Sequence, residues 1–372
     1  MSITVDFHAL HTLPPSNINR DDTGAPKSGL FGGVVRQRVS SQAWKRAIRK
    51  DFETYLDHSQ LGVRSKRTPQ LIAERMTNLA PELDPAEAKA RVDALFKAAK
   101  IKLHDEKPQD GEETAGKVTG YLLFLSEQQI SRAAEFLIEN GHEKVSKREA
   151  DAILDASHSV DIAMFGRMVA DAPDYNVDAA VQVAHALGVH ESEPEFDFFT
   201  AVDDVVEDAE ETGAGMLGTV QMMSSTLYRF ASIDFESLAK NLGSREAAVE
   251  AATAFAKSFV RSLPTGKLNT FANWTMPELV YVTVRDDRAV SLVNAFETPV
   301  DAAPGNSRRQ AAAEALAAEA SQIEAMYGLA PAASWILAQD NLASPFAEQA
   351  TRVNFDGLLE QLSQRLTEMT RD

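Results

Sequence analysis

Residues 17–50 read NINRDDTGAPKSGLFGGVVRQRVSSQAWKRAIRK, a polar loop with several glycines that leads into a cation-rich stretch. Ser40 or Ser41 is a natural N-cap, which predicts a helix extending to about Leu56. Its apolar stripe comprises Trp44, Ile48, Phe52 and Tyr55 or Leu56, and its neighbouring cations are Lys45, Arg46 and Arg49. Because backbone N–H groups at a helix N-terminus suit phosphate oxygens, this segment predicts a path for a phosphate backbone.

The composition is that of an ordinary globular protein. Hydrophobic residues make up 44% and charged residues 25% of the 372 residues, a length that suits two domains or one domain with a large insertion. The chain has no cysteine, which excludes disulfides and thiolate metal sites. No signal-peptide pattern and no stretch long enough to span a bilayer is present, so we expect a cytoplasmic protein without membrane contact.

Charge is distributed unevenly along the chain. The formal net charge of −18 argues against a nucleic-acid partner, yet residues 1–50 carry eight basic and three acidic side chains. The first fifty residues are therefore at +5 and the rest at −23. This pattern predicts a localised basic face on an acidic protein, with a solvated charged helix as the alternative.

Elements further along the chain alternate between strand-like and helix-like patterns. Residues 3–13 read as a strand that ends in a turn at 14–16, and residues 59–178 are mainly helical, with an exposed loop near 104–117. Residues 160–170 and 177–187 are strands or buried elements, and two strand-like arms between 190 and 235 flank an acidic excursion. Helices are expected at 244–263, 307–326 and 354–369, and a strand at 278–285. The order predicts an α+β sheet with a helical insertion.

Three weaker patterns offer other chemistry. Gly213, Gly215 and Gly218 match the dinucleotide-binding glycine spacing, but the acidic run before them would repel phosphate. The acidic residues Asp203, Asp204, Glu207, Asp208 and Glu210 could gather Mg²⁺ or form a solvated loop. His185 and His190 do not have a metal-binding helical spacing, and we expect no metal site.

Several short blocks resemble one family. The first blocks are Asn19-Arg20-Asp21-Asp22, Phe31-Gly32-Gly33, Arg38-Val39-Ser40-Ser41-Gln42 and Lys45-Arg46-Ala47. The later blocks are Val160-Asp161-Ile162-Ala163, Gly166-Arg167-Met168, Ala184-His185-Ala186, Phe199-Thr200-Ala201-Val202-Asp203-Asp204, Leu217-Gly218-Thr219 and Asn294-Ala295-Phe296-Glu297. Together they resemble the CasC family, the multi-copy crRNA-binding backbone subunit of the type I-E CRISPR Cascade complex.

The resemblance implies a hand-like fold. A modified RRM-like, ferredoxin-like palm would comprise residues 1–58, 179–190 and 223–372. Residues 59–178 would be a helical fingers insertion and residues 191–222 a long thumb loop. No RNP motif is present, so stacking of bases on the sheet is not expected.

The resemblance also implies a set of RNA-binding residues. These are Asn19, Arg20, Lys27, Arg38, Ser40, Gln42, Lys45, Arg46, Arg49, Arg167, Met168, Phe199 and Thr200. Met168 would be an apolar wedge beside a displaced base, with an ordinary core methionine as the alternative. Lys97, Lys100 and Lys102 are candidates for target-DNA contact, or they simply solvate a helix.

The expected function is a non-catalytic scaffold without cofactor. Several copies would bind the crRNA, kink it at regular intervals and present it to the target DNA strand in the R-loop. The expected partners are other copies of the chain and the large, small, crRNA-processing and tail subunits of Cascade. The alternative is a metal-dependent endoribonuclease that uses Asp203 or Asp204 of the thumb.

Overall fold

The computed structural model describes residues 3–106, 116–141, 144–201 and 216–370. The chain divides into two compact units. The first, here the sheet unit, comprises residues 1–51, 183–232 and 253–372, and the second, the helical unit, comprises residues 52–182 and 233–252. The predicted mixture of helices with a large sheet is confirmed. The palm, fingers and thumb boundaries stay predictions.

The strands and helices have the following bounds. The strands are β1 (Thr4–Ser16), β2 (Ser28–Phe31), β3 (Val34–Val39), β4 (Gly62–Ser65), β5 (Leu103–Asp105), β6 (Lys117–Thr119), β7 (Leu123–Ser126), β8 (Val181–Val183), β9 (Ala186–Gly188), β10 (Glu195–Ala201), β11 (Met216–Asp234), β12 (Leu279–Arg285), β13 (Ala333–Ala338) and β14 (Thr351–Arg352). The helices are α1 (Ser41–Phe52), α2 (Thr68–Leu79), α3 (Pro85–Ala98), α4 (Glu127–Asn140), α5 (Lys147–Leu154), α6 (Val160–Phe165), α7 (Phe235–Leu242), α8 (Arg245–Arg261), α9 (Leu268–Phe271), α10 (Arg308–Tyr327), α11 (Asp340–Ala343) and α12 (Phe355–Met369). Among the described helices, none is long and apolar enough to cross a bilayer.

The large sheet has the strand order β14-β13-β12-β1-β11-β9-β3-β2, and β10 pairs with β11. Strand β1 pairs antiparallel with β12 from Thr4 opposite Arg285 to Leu10 opposite Leu279. The predicted turn at residues 14–16 is wrong, because β1 continues to Ser16. Pro14 and Pro15 lie beyond the β12 ladder, where a missing N–H costs no β12 pairing.

Both faces of β1 are buried, and alternate residues face different partners. On one face Phe7 packs edge-on against Phe255 of α8, with ring centroids 5.3 Å apart, and against Phe259 at 5.5 Å. On the other face Leu10 belongs to a core with Tyr281 and apolar residues of α10. The sheet is therefore sandwiched between helices, and α1 packs by Trp44 into a smaller cluster with Leu13 and Leu263.

The N-terminal helix is shorter than predicted. It begins at Ser41, as expected, but ends at Phe52 rather than near Leu56. The N–H groups of Tyr55 and Leu56 both bond the Phe52 carbonyl, at 3.2 and 2.8 Å, which closes the last turn. Helix α1 is therefore short, with its cations concentrated near both ends.

The helical unit is built around α2, α3 and α4, as its helical periodicity predicted. Its core includes Ile72, Phe96 and Leu137, each buried. Residues 160–165, which the sequence left as a strand or a buried element, form the buried helix α6. A short apolar run suits either structure, and tertiary packing decides between them.

Candidate nucleic-acid interface

The loop before β2 is fixed to the N-terminus of α1 by Asn19. The Asn19 Oδ1 accepts the N–H of Ser40 at 2.8 Å, and the Asn19 carbonyl accepts the N–H of Lys27 at 2.9 Å. The Lys27 carbonyl in turn accepts the N–H of Arg38 at 2.9 Å. Asn19 therefore holds the loop, β3 and α1 together through a neutral amide.

Asp21 stabilises the tip of the same loop. Its Oδ1 accepts the backbone N–H of Thr23 at 2.9 Å, the Thr23 hydroxyl at 2.7 Å and the N–H of Ala25 at 3.0 Å. These bonds, the Thr23 hydroxyl first, lower the pKa of the exposed Asp21 carboxyl. The carboxylate is thereby used by the turn, and the neighbouring Arg20 is left exposed to solvent.

Ser40 caps α1. Its side chain is buried, its Oγ accepts the N–H of Ala43 at 3.3 Å, and its carbonyl accepts the N–H of Trp44 at 3.2 Å. The hydroxyl predicted to touch RNA thus has a helix-capping role in the structure. The adjacent Gln42 is exposed.

Helix α1 separates an apolar face from a cationic one, as predicted. Trp44, Ile48 and Phe52 are at most 1% exposed, whereas Arg46 is exposed and Lys45 is half-buried. Burial lowers the pKa of Lys45 below its usual value. Arg49 is also half-buried and Lys50 is exposed. The side chains of Gln42 and Arg46 make no hydrogen bond or ion pair with any described residue, so both can bind a ligand without breaking an internal contact.

Arg38 and Lys27 lie in a second cationic patch with His185. The Arg38 guanidinium donates to the Ser28 carbonyl at 3.1 Å and lies 3.1 Å from His185 Nδ1. Burial, followed by the charges of Arg38 and Lys27, lowers the pKa of His185, so its neutral ring can accept from Arg38. His185 was not among the predicted site residues, although it lies in one of the blocks that carried the resemblance.

Two blocks that are far apart in sequence meet at Gly32. Its φ is +59°, and a β carbon there would lie 1.7 Å from the Glu297 carbonyl oxygen. The buried Arg36 donates to the carbonyls of Phe296 at 3.1 Å and Glu297 at 3.2 Å. Only glycine fits this position, and the contact anchors the loop that carries the cationic patch.

Phe199 and Thr200 lie in β10, where both are exposed. In the antiparallel register Phe199 faces Gly218 and Phe198 faces Thr219 of β11. Phe196 and Phe198 are 60% and 70% exposed, so one side of this strand pair presents aromatic rings to solvent. The acidic cluster from Asp203 to Glu210, together with Gly213 and Gly215, lies outside the described residues.

In the helical unit, Gly166, Arg167 and Met168 form a braced turn after α6. Gly166 has φ +77°, and a β carbon there would lie 2.7 Å from the Val177 carbonyl. The backbone N–H groups of Arg167 and Val177 each bond the other residue's carbonyl at 2.9 Å. Met168 is 77% exposed, so it is not a core methionine and is held out by a rigid turn.

The side chain of Arg167 points inward instead. It donates to the Tyr175 carbonyl at 2.8 Å and to Gln129 Oε1 at 3.4 Å, and it pairs with Asp155 at 3.6 Å. Burial lowers its pKa to about 10. Its guanidinium braces the turn that presents Met168, and a phosphate contact would require these bonds to be exchanged.

Lys97, Lys100 and Lys102 are exposed at the end of α3 in the helical unit. Lys100 has a positive φ of 61°, and the backbone N–H of Lys102 donates to Asp171 Oδ2 at 2.7 Å. Their contact with target DNA stays a prediction. Among the residues that the structure describes, no group of three or more histidine, aspartate and glutamate side chains could hold a metal ion.

Comparison with known proteins identifies the family. Residues 5–364 match the family described as CT1975-like protein. A chain of a solved structure titled "CRISPR RNA-guided surveillance complex, pre-nicking" superposes with a TM-score of 0.83 at 31% identity, covering 98% of this chain and 100% of that one.

A chain of a second structure, titled "CRISPR RNA-guided surveillance complex", gives a TM-score of 0.75 at 28% identity and covers 97% and 99% of the two chains. No curated protein matches in sequence. Since the family match and both superpositions extend over nearly the whole length, the chain belongs to the CT1975-like protein family.

Proposed function

We propose that the chain is a non-catalytic backbone subunit of a CRISPR surveillance complex, of the type I-E CasC kind, that binds guide crRNA along its phosphate backbone. The observation that carries the proposal is the N-terminus of α1, whose cations lie beside a loop pinned by uncharged groups. The similarity to chains of CRISPR RNA-guided surveillance complexes supports it. The protein then needs no cofactor, and we place it in the cytoplasm.

In this proposal the sheet unit contacts RNA mainly through charge. Lys45, Arg46 and Arg49 neutralise phosphates, while Arg20, Lys27 and Arg38 extend the cationic path. Asn19 and Ser40 contribute by fixing the backbone that carries these cations. Recognition is therefore tolerant of base sequence, and specificity comes from pairing of the guide with target DNA.

The apolar and aromatic side chains impose shape on the RNA. Met168 would wedge beside a displaced base, since it is exposed on a rigid turn. Phe199 and Thr200 of the thumb would touch RNA beside a neighbouring copy. The palm would be a modified RRM-like sheet, and other copies together with the remaining Cascade subunits would complete the particle.

The proposal is tested by co-expression with a repeat–spacer transcript and the other subunits of the complex, followed by size-exclusion chromatography and RNA extraction. Wild-type chain should elute in a large particle with intact guide RNA, and Lys45→Glu combined with Arg49→Glu should release the RNA. The matched control is Arg288→Glu combined with Arg309→Glu, which makes the same charge change at exposed sites outside segment 17–50.

Both double variants are checked by circular dichroism so that misfolding is recognised. If the first does not fold, Arg46→Glu replaces it, because Arg46 is exposed and makes no contact with described residues. Wild-type chain that elutes alone and free of RNA would disprove the proposal. Cleavage of the bound RNA in Mg²⁺, lost in Asp203→Ala or Asp204→Ala, would show that the chain is instead an endoribonuclease.

A further inference from the structure

Behind α1 the sheet unit contains a buried cation that the predicted interface did not include. Arg229 of β11 is 2% exposed. Its guanidinium carbon lies 3.7 Å from the ring centroid of Trp44 in α1 and 4.5 Å from that of Phe259 in α8. Both rings are also buried, at 1% exposure, so the cation lies between two aromatic side chains and out of contact with water.

Uncharged acceptors complete the surroundings of Arg229. It donates to the Phe259 carbonyl at 2.6 Å, in the last turn of α8, where the helix dipole is negative. Its other terminal nitrogen lies 3.2 Å from His11 Nδ1, while His11 Nε2 lies 2.9 Å from the Thr275 carbonyl. Burial, followed by the charge of Arg229, lowers the pKa of His11 to about 3, so this ring is neutral and accepts from Arg229.

Among the described residues, no carboxylate pairs with Arg229. Burial lowers the pKa of Arg229 to about 9, which leaves it charged at neutral pH. The buried Arg285 differs, because Asp6 and Glu324 lie 3.4 Å from it on either side. Apolar side chains of similar volume usually replace buried ionic groups without loss of stability, so packing alone does not explain the charge of Arg229.

The position of Arg229 suggests what the charge does. Trp44 immediately precedes Lys45 in α1, so the side chain that covers Arg229 belongs to the turn that carries the phosphate-binding cations. A positive charge in a weakly screening interior raises the potential at the nearby surface more than the same charge would in water. Arg229 also ties β11, α8 and α1 together through one guanidinium.

We propose that Arg229 is a positioning residue of the RNA interface: it fixes Trp44, and with it the cationic turn of α1, and adds a positive charge behind that turn. The inference rests on the proposed RNA binding. Its ligand class is the phosphate backbone of single-stranded RNA, and its partner in the fold is Trp44.

The test compares Arg229→Met, Arg229→Lys and Trp44→Phe with wild-type chain. Affinity for a fluorescein-labelled single-stranded RNA is measured from 50 to 200 mM salt, a range of roughly fourfold in ionic strength. Thermal unfolding of each variant is recorded in parallel. Arg288→Met is the matched control, since it removes one exposed positive charge outside this region.

We expect Arg229→Met to keep or raise the unfolding temperature and to weaken RNA binding about tenfold, whereas Arg229→Lys stays within about threefold of wild type. Trp44→Phe should lie between the two, because phenylalanine binds a cation less strongly. Wild-type affinity in Arg229→Met, or equal loss of affinity and stability in the Met and Lys variants, would overturn the inference. Failure of wild-type chain to bind RNA would contradict the proposed function instead.

Discussion

Segment 17–50 of the sheet unit and the turn at residues 166–177 of the helical unit solve the same problem in opposite ways. In the first, neutral Asn19 and Ser40 hold the backbone and the cations Arg20 and Arg46 face solvent. In the second, the cation Arg167 holds the backbone and the apolar Met168 faces solvent. The comparison teaches that the type of residue does not reveal which side chain supports a site and which contacts the ligand.

The largest effect that tests this comparison is expected at Arg167. Arg167→Ala should lower the free energy of unfolding by about 3 kcal/mol, because it leaves the Tyr175 carbonyl and Asp155 without their buried partner. Met168→Ala should change it by less than about 0.5 kcal/mol, since the side chain is 77% exposed, while still reducing RNA kinking. Urea unfolding of both variants measures the difference. Equal destabilisation would contradict the division of roles.

Acidification should destabilise the chain by a comparable amount. Burial lowers the pKa of His8 and His11 to about 3, so the unfolded state binds more protons between pH 3 and 6.5 and stability falls as the pH decreases. Burial raises the pKa of Asp6 to about 6, which acts in the opposite direction because the folded state then binds the proton more tightly. Arg285 faces His8 and Asp6, and Arg229 faces His11.

From these opposing shifts we expect a net loss on the order of 3 kcal/mol between pH 7 and pH 5. His158 of the helical unit, with a pKa lowered by burial to about 4, adds to the loss. His8→Phe should remove about half of the loss from the sheet unit, because its ring still packs among Tyr228 and Tyr281. Guanidinium unfolding at the two pH values checks this. Greater stability at pH 5 would show that Asp6 dominates.

A smaller effect separates support from contact at Asn19. Asn19→Ala should cost about 1 kcal/mol by leaving the Ser40 N–H without its acceptor. Asn19→Asp keeps an acceptor, so stability should be retained, but its negative charge should weaken RNA binding several-fold. Unfolding curves and RNA titrations of both variants decide the matter. If Asn19→Ala binds RNA as well as wild type, fixing of the loop is not needed for binding.

Periodicity in the sequence was sufficient for the helices and for most strands. The stripe of Trp44, Ile48 and Phe52 predicted the buried face of α1 correctly, because a long amphipathic pattern leaves few alternatives. The short run at 160–165 left strand or buried element open, and only packing in the helical unit resolves it as a buried helix. The ends of β1 and α1 depended on ladder length and on local turns, which the sequence does not encode strongly.

Side-chain direction was the main part of the site that the sequence could not supply. Arg167 and Arg229 are both buried arginines, yet one belonged to the predicted set and the other did not. Exposure depends on which strand or turn carries each residue, and that depends on contacts between distant segments, such as Arg229 with Trp44. His185 could have been found from its block, Ala184-His185-Ala186, had its neighbour Arg38 across β3 and β9 been known.

The central claim is that the cations of α1 hold RNA by its phosphates, and salt-dependent binding tests it most directly. Wild-type chain and the variant with Lys45→Glu and Arg49→Glu are titrated with single-stranded RNAs of different sequence from 50 to 200 mM salt, a range of roughly fourfold. The account predicts that wild-type affinity falls steeply with salt and is similar for all sequences, and that the variant loses both affinity and most of the slope. Binding that is insensitive to salt, or that depends on base identity, would contradict it.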